Sequence, residues 1–384
     1  MSACLFSKDE LRRYQRQIIL PEVGIPGQER LRKSSVLIVG VGGLGSPLAM
    51  YLAAQGVGRM GLVDFDAVDI SNLHRQVIYG TADVGLQKLE SAREAILQLN
   101  EDVKVDLYNS RLSSQNALGI LRHYDIVVDG TDNFAAKYLI NDACALLGKP
   151  NVYGSVYGFE GQVSVFWAGR GPCYRCLYPE VAARGMVPSC AEGGVLGVLP
   201  GVIGMLQACE VVKLILVQGE PLVGNLLLYD MLAAEFRKVV ISKDPNCAIC
   251  GDNPTIKVLS DIEQTACMKE GDMNDVRSLV EMISPEELRD ELSGREEICL
   301  IDVREPHEFD ICHIAGAQLM PLSEIEKLCS ELDSSANIVV YCKGGKRGAK
   351  AVEILFQSGF KKVRNLSGGI LQWIEAVDPS LEKY

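Results

Sequence analysis

Three glycines at a fixed spacing are the first residues of this chain that could support chemistry. Gly40, Gly42 and Gly45 form a G-x-G-x-x-G pattern directly after the apolar run 36–39. Such a loop lets the backbone approach a phosphate closely, and the free N–H groups of the following helix attract negative charge. Asp64 ends the next apolar run, where a carboxylate accepts hydrogen bonds from ribose hydroxyl groups. The pattern predicts an adenine-nucleotide site; the alternative is a tight turn that binds no ligand.

A polar cluster after Asp64 favours ATP over a nicotinamide dinucleotide. Its residues are Ser71, Asn72, Leu73, His74, Arg75 and Lys88. Arginine and lysine bind phosphoryl oxygens and stabilise a departing pyrophosphate, which hydride transfer does not require. Asp132 and Asn133 follow a further apolar run, at the strand end where open α/β sheets bind ligands, and an acid there suits Mg2+. Each of these charged residues, taken alone, is explained as a solvated surface residue. Taken together, they are expected to bind the same nucleotide ligand.

A cysteine in a cationic loop is the second chemical feature. Cys342 ends an apolar run, and four cations follow it: Lys343, Lys346, Arg347 and Lys350. Backbone N–H groups of such a loop bind anions, and nearby cations favour the thiolate over the thiol. A thiolate held in this way can accept a sulfane sulfur and carry it as a persulfide. The alternative, a core cysteine at a strand end, fits poorly beside four cations.

Two C-x-x-C pairs suggest a metal site. Four thiolates suit a tetrahedral Zn2+, and the pairs are Cys173 with Cys176 and Cys247 with Cys250. Their separation is longer than in a zinc ribbon, so a redox pair or unrelated core cysteines are the alternatives. Both pairs follow prolines that mark loops, whereas redox pairs lie at strand-to-helix junctions. We therefore predict a structural zinc ion.

Three further cysteines receive different interpretations. Cys190 lies in a polar, glycine-rich segment, where a thiol is a plausible nucleophile, although a buried small residue is the commoner role of a single cysteine. Cys144 and Cys209 lie in apolar helical patterns and are predicted to be core residues.

Composition limits the class of protein. The 384 residues are enough for more than one core, and the net charge of -12 argues against a nucleic-acid partner. The longest apolar segment, 195–205, is interrupted by glycines and a proline, and Lys213 breaks the next, so we predict no membrane span. With no signal-peptide pattern, a cytoplasmic protein is expected, whose 13 cysteines do not form disulfides.

The periodicity predicts the elements that position these residues. Apolar runs at 36–39, 60–64 and 125–129 alternate with helices, one of them at 46–55, which indicates an α/β domain with a mainly parallel, Rossmann-like sheet. A second α/β unit begins at a helix start around Ser284, with Glu287 three residues on. Its predicted strands are 298–303, 337–342 and 362–366, and its predicted helix is 349–358. The predicted domains are 1–252 and 281–384, joined by a linker at 253–280.

The first domain resembles the adenylyltransferases that activate ubiquitin-like sulfur carriers, of the molybdopterin-synthase and thiazole-biosynthesis type. The matching segments are 13–18, 40–45, 64–66, 71–76, 129–133, 160–163 and 173–177. The resemblance implies a ubiquitin-activating-type fold and roles around ATP and Mg2+ for Gly43, Asp64, Asn72, Arg75, Lys88 and Asp132. It also implies a homodimer in which Arg16 reaches the partner's ATP site, and a crossover loop whose Cys190 bonds with the carrier or resolves a disulfide.

The segment 283–376 resembles rhodanese sulfurtransferase domains. The matching segments are 300–304, 313–317, 342–347 and 366–373. The resemblance implies that Cys342 carries the persulfide, that Asp302 and Arg304 hold the domain together, and that His313 is structural.

Together the two resemblances are those of the two-domain adenylyltransferase/sulfurtransferases. They imply ATP-dependent adenylation of a carrier that ends in Gly-Gly, and then sulfur transfer from Cys342 to give a carrier thiocarboxylate. The sulfur donor is thiosulfate or a cysteine desulfurase, and the pathway is molybdopterin, thiamin, cysteine or tRNA thiolation. Two alternatives are an NAD-dependent oxidoreductase fused to a redox domain and a non-catalytic carrier-binding scaffold. Arg75 and Lys88 count against both.

Overall fold

The chain forms two compact units, 1–267 and 268–384. The computed structural model describes residues 6–181, 194–261, 281–294, 298–329 and 332–383. Each unit has its own sheet and its own hydrophobic core.

An eight-stranded sheet forms the centre of the first unit. Its strands are β1 (Ser35–Val39), β2 (Arg59–Asp64), β3 (Lys104–Asn109), β4 (Ile126–Asp129), β5 (Asn151–Tyr157), β6 (Glu160–Phe166), β7 (Asn225–Asp230) and β8 (Glu235–Val240). The order is β3-β2-β1-β4-β5-β6-β7-β8, with β1 to β5 parallel and β5 to β8 antiparallel. The predicted mainly parallel sheet is confirmed, and the chain order reverses between β1 and β4, where open sheets bind ligands.

Helices cover both faces of this sheet. They are α1 (Lys8–Ile18), α2 (Gly24–Lys33), α3 (Gly45–Ala54), α4 (Lys88–Leu99), α5 (Ala117–Leu121), α6 (Phe134–Leu147), α7 (Tyr174–Leu177) and α8 (Val198–Leu216). Val36 and Ile38 of β1 belong to the core on one face, while Leu37 and Val39 belong to the core on the other. Side chains alternate across a strand, so a central strand covered on both faces is apolar throughout.

Helix α8 differs from the sequence prediction. It is one continuous helix of 19 residues, and Pro200 does not interrupt it because the first-turn N–H groups need no helical partner. It is the one described helix long and apolar enough to cross a membrane, but half of that stretch is buried inside the protein. It packs on β5 and β6 as a core helix does. The prediction for Cys209 on this helix was wrong, since it is exposed, whereas Cys144 is in the core as predicted.

The second unit has a five-stranded parallel sheet, ordered β11-β10-β12-β13-β9. The strands are β9 (Glu281–Ile283), β10 (Ile298–Asp302), β11 (Gln318–Leu319), β12 (Asn337–Tyr341) and β13 (Val363–Leu366). The helices are α9 (Pro285–Leu292), α10 (Pro306–Ile311), α11 (Ile325–Leu328), α12 (Lys346–Gln357) and α13 (Gly369–Ala376). The capping box predicted at Ser284 is present, because Ser284 and Glu287 bond reciprocally at 2.9 and 3.2 Å.

The structure describes the predicted linker only as far as Asp261. Leu259 is buried in the first unit's core, and Asp261 accepts hydrogen bonds of 2.7 Å from the backbone and hydroxyl of Ser114. These residues therefore pack on the first unit, and residues 262–280 lie outside the described part of the chain.

Candidate functional sites

The glycine loop lies at the carboxyl ends of three neighbouring strands. Gly40 has φ +88° and donates its N–H to Val63 at 2.8 Å, and Gly130 donates to Val39 at 2.8 Å. A Cβ on Gly45 would lie 2.1 Å from the Gly40 carbonyl oxygen, so no larger residue fits there. The glycines are thus needed for backbone packing inside the protein as well as for the approach of a ligand.

The carboxylate of Asp64 lies at the glycine loop and also bonds to the backbone of that loop. Its carboxylate is buried and accepts hydrogen bonds from the N–H groups of Val41, Phe65 and Asp66 at 2.9, 2.8 and 3.0 Å. A carboxylate has about four acceptor positions, so one remains for a ribose hydroxyl group. The contact with Val41 could not be predicted from local sequence patterns, because it joins the ends of two strands.

Arg75 lies beside the glycine loop. Its Cγ atom would be 3.6 Å from a Cβ on Gly43, and its Nη1 donates to the Ser71 carbonyl at 2.9 Å. The same nitrogen lies 2.7 Å from Nε2 of His74. Burial, and then the charge of Arg75, hold the pKa of His74 below its usual value, so this ring is neutral near pH 7 and accepts the arginine's hydrogen bond.

Lys88 begins α4 at the same edge of the sheet. Its side chain is buried, and its Nζ lies 2.8 Å from Oδ2 of Asp66, which is half exposed. The structure therefore brings Gly43, Asp64, Arg75 and Lys88 to one edge of the sheet, and a ligand common to them stays a prediction.

Asp132 and Asn133 follow β4 at this edge, but they differ in surroundings. Asp132 is exposed, whereas Asn133 is the N-cap of α6 and accepts the Ala136 N–H at 2.9 Å. The cap gives Asn133 a structural task that the sequence analysis did not assign to it. Of the two, Asp132 has the accessible carboxylate that a magnesium ion needs.

A buried ion pair missed by the sequence analysis supports this loop. Asp129 and Lys137 lie 3.3 Å apart and are almost fully buried. Asp129 also accepts hydrogen bonds from the N–H and hydroxyl of Thr131, and Lys137 donates to the Gly154 carbonyl at 2.9 Å. A buried carboxylate at a strand end, followed by a lysine in an apolar helix, was the available signal. The pair fixes the backbone that leads to Asp132.

The four predicted metal ligands lie together. Cys173 Sγ lies 3.9 Å from Cys176 Sγ and 3.5 Å from Cys247 Sγ, and Cys176 Sγ lies 3.4 Å from Cys250 Sγ. All four sulfurs are within 4.8 Å of one another. A tetrahedral zinc ion with bonds of about 2.3 Å places its sulfurs about 3.8 Å apart, whereas a disulfide needs about 2.05 Å. The cluster fits a closed structural zinc site.

The thiol chemistry and the anchoring also suit a zinc ion. The hydrogen bond between Cys173 and Cys176, and then burial, raise the pKa of Cys173, while that hydrogen bond lowers the pKa of Cys176 to about 5. Zinc binds thiolates, so metal binding would displace the protons of these thiols. Asn141 and Asp142 of α6 bind the backbone of Tyr174 and the guanidinium of Arg175, so the cluster is joined to the helix that follows Asp132.

In the second unit, Cys342 lies at the base of its loop. The residue is 2% exposed, and its Sγ accepts the Gly345 N–H at 3.2 Å. Gly345 has φ +90°, and its carbonyl accepts a hydrogen bond from Asn365 Nδ2 at 2.9 Å. A Cβ on Gly369 would lie 2.2 Å from the Cys342 carbonyl oxygen, so the turn after β13 closes on the loop. The fold thus directs a backbone donor at the sulfur, as the sequence predicts.

One of the predicted cations has a partner in another helix. Arg347 binds Glu308 of α10 through two hydrogen bonds of 2.6 and 2.7 Å, and its role beside the thiolate stays a prediction. Asp302 and Arg304 form a fully buried ion pair, in keeping with the predicted structural role. His313 stacks on Phe309 with ring centroids 3.9 Å apart, also as a structural residue does.

One predicted site residue, Arg16, does not lie at the glycine loop of its own chain. Arg16 is exposed on α1, which contacts the C-terminal ends of α3 and α4 through bonds from Gln17 to Gln55 and from Arg13 to Leu99. The glycine loop lies at the other end of α3, a helix of about 15 Å. Cys190 lies outside the described residues.

Known proteins resemble this chain over its whole length. The ThiF family matches residues 14–249, and the rhodanese-like domain matches residues 284–376. The "Probable adenylyltransferase/sulfurtransferase MoeZ" of Mycobacterium tuberculosis is 46% identical, over 100% of this chain and 97% of its own length. The "Sulfur carrier protein adenylyltransferase" of Thermus thermophilus is 55% identical, over 67% of this chain and 97% of its own length.

A solved structure shows the fold of the first unit. The crystal structure of Escherichia coli MccB with ATP has a TM-score of 0.55 and 22% identity, covering 62% of this chain and 73% of that one. On these matches, the chain belongs to the ThiF family and carries a C-terminal rhodanese-like domain.

Proposed function

We propose that this chain is an ATP-dependent adenylyltransferase and sulfurtransferase that converts the C-terminal glycine of a ubiquitin-like sulfur carrier into a thiocarboxylate. One observation carries the proposal: a glycine loop beside Arg75 and Lys88 and a cradled Cys342 occur in one chain. A bare carboxylate is a poor electrophile, and an adenylate supplies AMP as a leaving group. Neither an NAD-dependent oxidoreductase nor a non-catalytic scaffold explains both sites.

In the proposed first step, the glycine loop and the N-terminus of α3 bind the phosphates of ATP. Asp64 accepts a ribose hydroxyl, and Ser71, Asn72, Leu73, His74 and Asn133 line the site. The carrier carboxylate attacks the α-phosphate, and pyrophosphate leaves while Arg75 and Lys88 neutralise its charge. Asp132 would hold a Mg2+ ion, which would supply positive charge to the phosphates.

The position of Arg16 supports a homodimer. Arg16 lies at the end of α3 remote from its own glycine loop and projects from an exposed helix surface. We propose that Arg16 instead reaches a second copy's ATP site, where its charge would again stabilise the departing pyrophosphate.

In the proposed second step, the outer sulfur of the Cys342 persulfide attacks the acyl carbon, and AMP leaves. The product is an acyl disulfide between carrier and Cys342. A second thiolate, for which we propose Cys190, then attacks Sγ of Cys342 and releases the thiocarboxylate, leaving a protein disulfide that an external thiol reduces. Thiosulfate or a cysteine desulfurase would reload Cys342.

The zinc ion belongs to this proposal as a structural group, held by Cys173, Cys176, Cys247 and Cys250. A cytoplasmic location is also proposed. It is supported by the ten described cysteines, all unpaired, and by the buried face of α8.

A test separates the two activities. Purified chain with Mg2+, ATP and Gly-Gly-ended carriers should exchange labelled pyrophosphate into ATP only when a carrier is present. Cys342→Ala should keep this exchange at the wild-type rate and form no thiocarboxylate from thiosulfate, as read by mass spectrometry of the carrier. Absence of carrier-dependent exchange with every such carrier would refute the adenylation, and normal thiocarboxylate formation by Cys342→Ala would refute the assigned sulfur site.

A further inference from the structure

The ion pair between Arg347 and Glu308 has a geometry that bears on the specificity of the Cys342 loop. Arg347 Nη1 and Nη2 lie 2.6 and 2.7 Å from the two oxygens of Glu308. The Glu308 side chain is 12% exposed and that of Arg347 is 32% exposed. A partly buried, two-pronged pair of this kind is among the stronger and more rigid charge-assisted contacts.

Glu308 and Arg347 each lie in the first turn of a helix. Glu308 is the third residue of α10 and also accepts the Glu305 N–H at 3.0 Å. Arg347 is the second residue of α12, in the first turn after the Cys342 loop. The pair therefore joins the end of this loop to the helix that follows β10.

Without Glu308, the loop would have the parts of an oxyanion site. A nucleophilic cysteine, loop N–H groups and an arginine in the following first turn suit a tetrahedral anion, because a guanidinium fork matches two of its oxygens. Phosphate, sulfate and the sulfonate end of thiosulfate share this shape and charge. The fork of Arg347 is instead occupied by Glu308.

We propose that Glu308 determines the specificity of the sulfur site. By binding Nη1 and Nη2 of Arg347, Glu308 keeps this guanidinium from binding oxyanions that enter the Cys342 loop. The inference rests on the proposed sulfur transfer. In that reaction the Cys342 thiolate attacks the sulfane sulfur of thiosulfate, the S–S bond breaks, and sulfite leaves with the electron pair. A loop with high affinity for oxyanions would retain phosphate, or the pyrophosphate that the same enzyme releases. A low affinity for oxyanions therefore keeps the Cys342 thiolate available to the sulfur donor.

The test compares four variants of the full-length chain. Glu308→Gln frees the fork, and Glu308→Gln/Arg347→Gln removes it. Arg347→Lys keeps the charge beside Glu308 without a fork. Glu353→Gln, at an exposed position of α12, is the control for net charge. The measurements are the KM and kcat of thiosulfate-to-cyanide sulfur transfer and its inhibition by inorganic phosphate.

Glu308→Gln should lower the phosphate inhibition constant and the KM for thiosulfate by about tenfold, while the KM for an alkyl hydropersulfide, which has no sulfonate group, changes by less than about twofold. The double variant should return to the wild-type phosphate constant. Arg347→Lys should not raise the thiosulfate KM, and Glu353→Gln should match wild type. A merely structural brace would alter both donors alike.

A second measurement does not depend on sulfur transfer. Phosphate should protect Cys342 from iodoacetamide in Glu308→Gln and not in wild type, as read on the Cys342 peptide by mass spectrometry. Equal phosphate protection in these two proteins overturns the inference, as does an equal shift in the double variant. If Glu308→Gln does not fold, the thiosulfate KM of Arg347→Lys decides the question. A tenfold rise overturns the inference, because the Arg347 guanidinium would then bind the donor in wild type. An unchanged KM supports the inference.

Discussion

The two candidate sites are both glycine loops that join a parallel strand to a helix, but they obtain their polar groups differently. The loop at Gly40 is surrounded by Asp64, Arg75 and Lys88, which come from separate segments of the first unit. The sulfur of Cys342 receives its donor from Gly345, three residues away in the same loop. Remote residues such as Asn365 brace the backbone of that loop rather than the sulfur.

This difference matches the size of what each site holds. A nucleoside triphosphate offers many charged and polar atoms, so the site that we propose for it draws side chains from several strand ends. A single sulfur atom needs one or two donors and protection, and the 2% exposure of Cys342 supplies the protection. The first site should therefore respond to the loss of remote side chains, and the second to changes in its own backbone.

Arg75→Ala should produce the largest effect. We expect carrier-dependent pyrophosphate exchange to fall by about 100-fold to 1,000-fold, as when a charge-stabilising group is removed from other active sites. Loading of Cys342 by thiosulfate should stay at the wild-type rate. Arg93→Ala, on the exposed surface of α4, is the control. Slower sulfur loading by Arg75→Ala would show that the two sites are not independent.

Loss of the zinc site should affect the first unit alone. Cys247→Ser leaves three ligands, so bound zinc, measured by elemental mass spectrometry, should fall well below that of wild type. The first unit's unfolding temperature should fall by about 5 °C or more, since each kcal/mol shifts a domain of this size by about 2–4 °C. Cys209→Ser, at an exposed position, is the matched control. A similar fall in the unfolding temperature of the second unit would contradict the expectation that the zinc site stabilises the first unit alone.

Two glycines of the second unit test the importance of loop backbone. Gly369 has φ +59°, and a Cβ there would lie 2.2 Å from the Cys342 carbonyl oxygen, whereas nothing lies within 4 Å of a Cβ on Gly344. Gly369→Ala should destabilise the second unit by about 1–3 kcal/mol and slow sulfur loading. Gly344→Ala should be close to neutral in denaturant unfolding. Equal effects of Gly369→Ala and Gly344→Ala would refute the interpretation that the turn after β13 closes on the Cys342 loop.

The smallest expected effect concerns pH. The pKa of His74 is lowered in the folded chain by burial and by Arg75, so the unfolded chain binds the proton more readily. This contribution to stability is present above the ordinary histidine value of about 6.5 and declines as pH falls through it. His74→Gln should flatten the fall in unfolding temperature between about pH 7 and 5. Identical slopes in wild type and His74→Gln would contradict this, and His307→Gln, exposed in the second unit, is the control.

Local patterns were sufficient for much of the fold. The predicted strands are found within one residue of their expected bounds, and the capping box at Ser284 forms between residues three apart. Helix α12 begins at Lys346 rather than at 349, because Gly345 in the left-handed region starts it directly after the loop. The antiparallel strands β6 to β8 and the continuity of α8 were not predicted, since they depend on neighbours distant in sequence.

Residue types and short spacings were enough to identify the residues with chemical ability: the glycines after β1, the four paired cysteines, Arg75, Lys88 and Cys342. Those assignments depend on residue type and short spacing, which the chain carries in any conformation. The contacts between remote residues depend on the fold, such as Asp64 with Val41, Lys137 with Asp129 and Arg347 with Glu308. These contacts follow from which strand ends and helices the fold places side by side, and backbone geometry then selects which side chains fit between them.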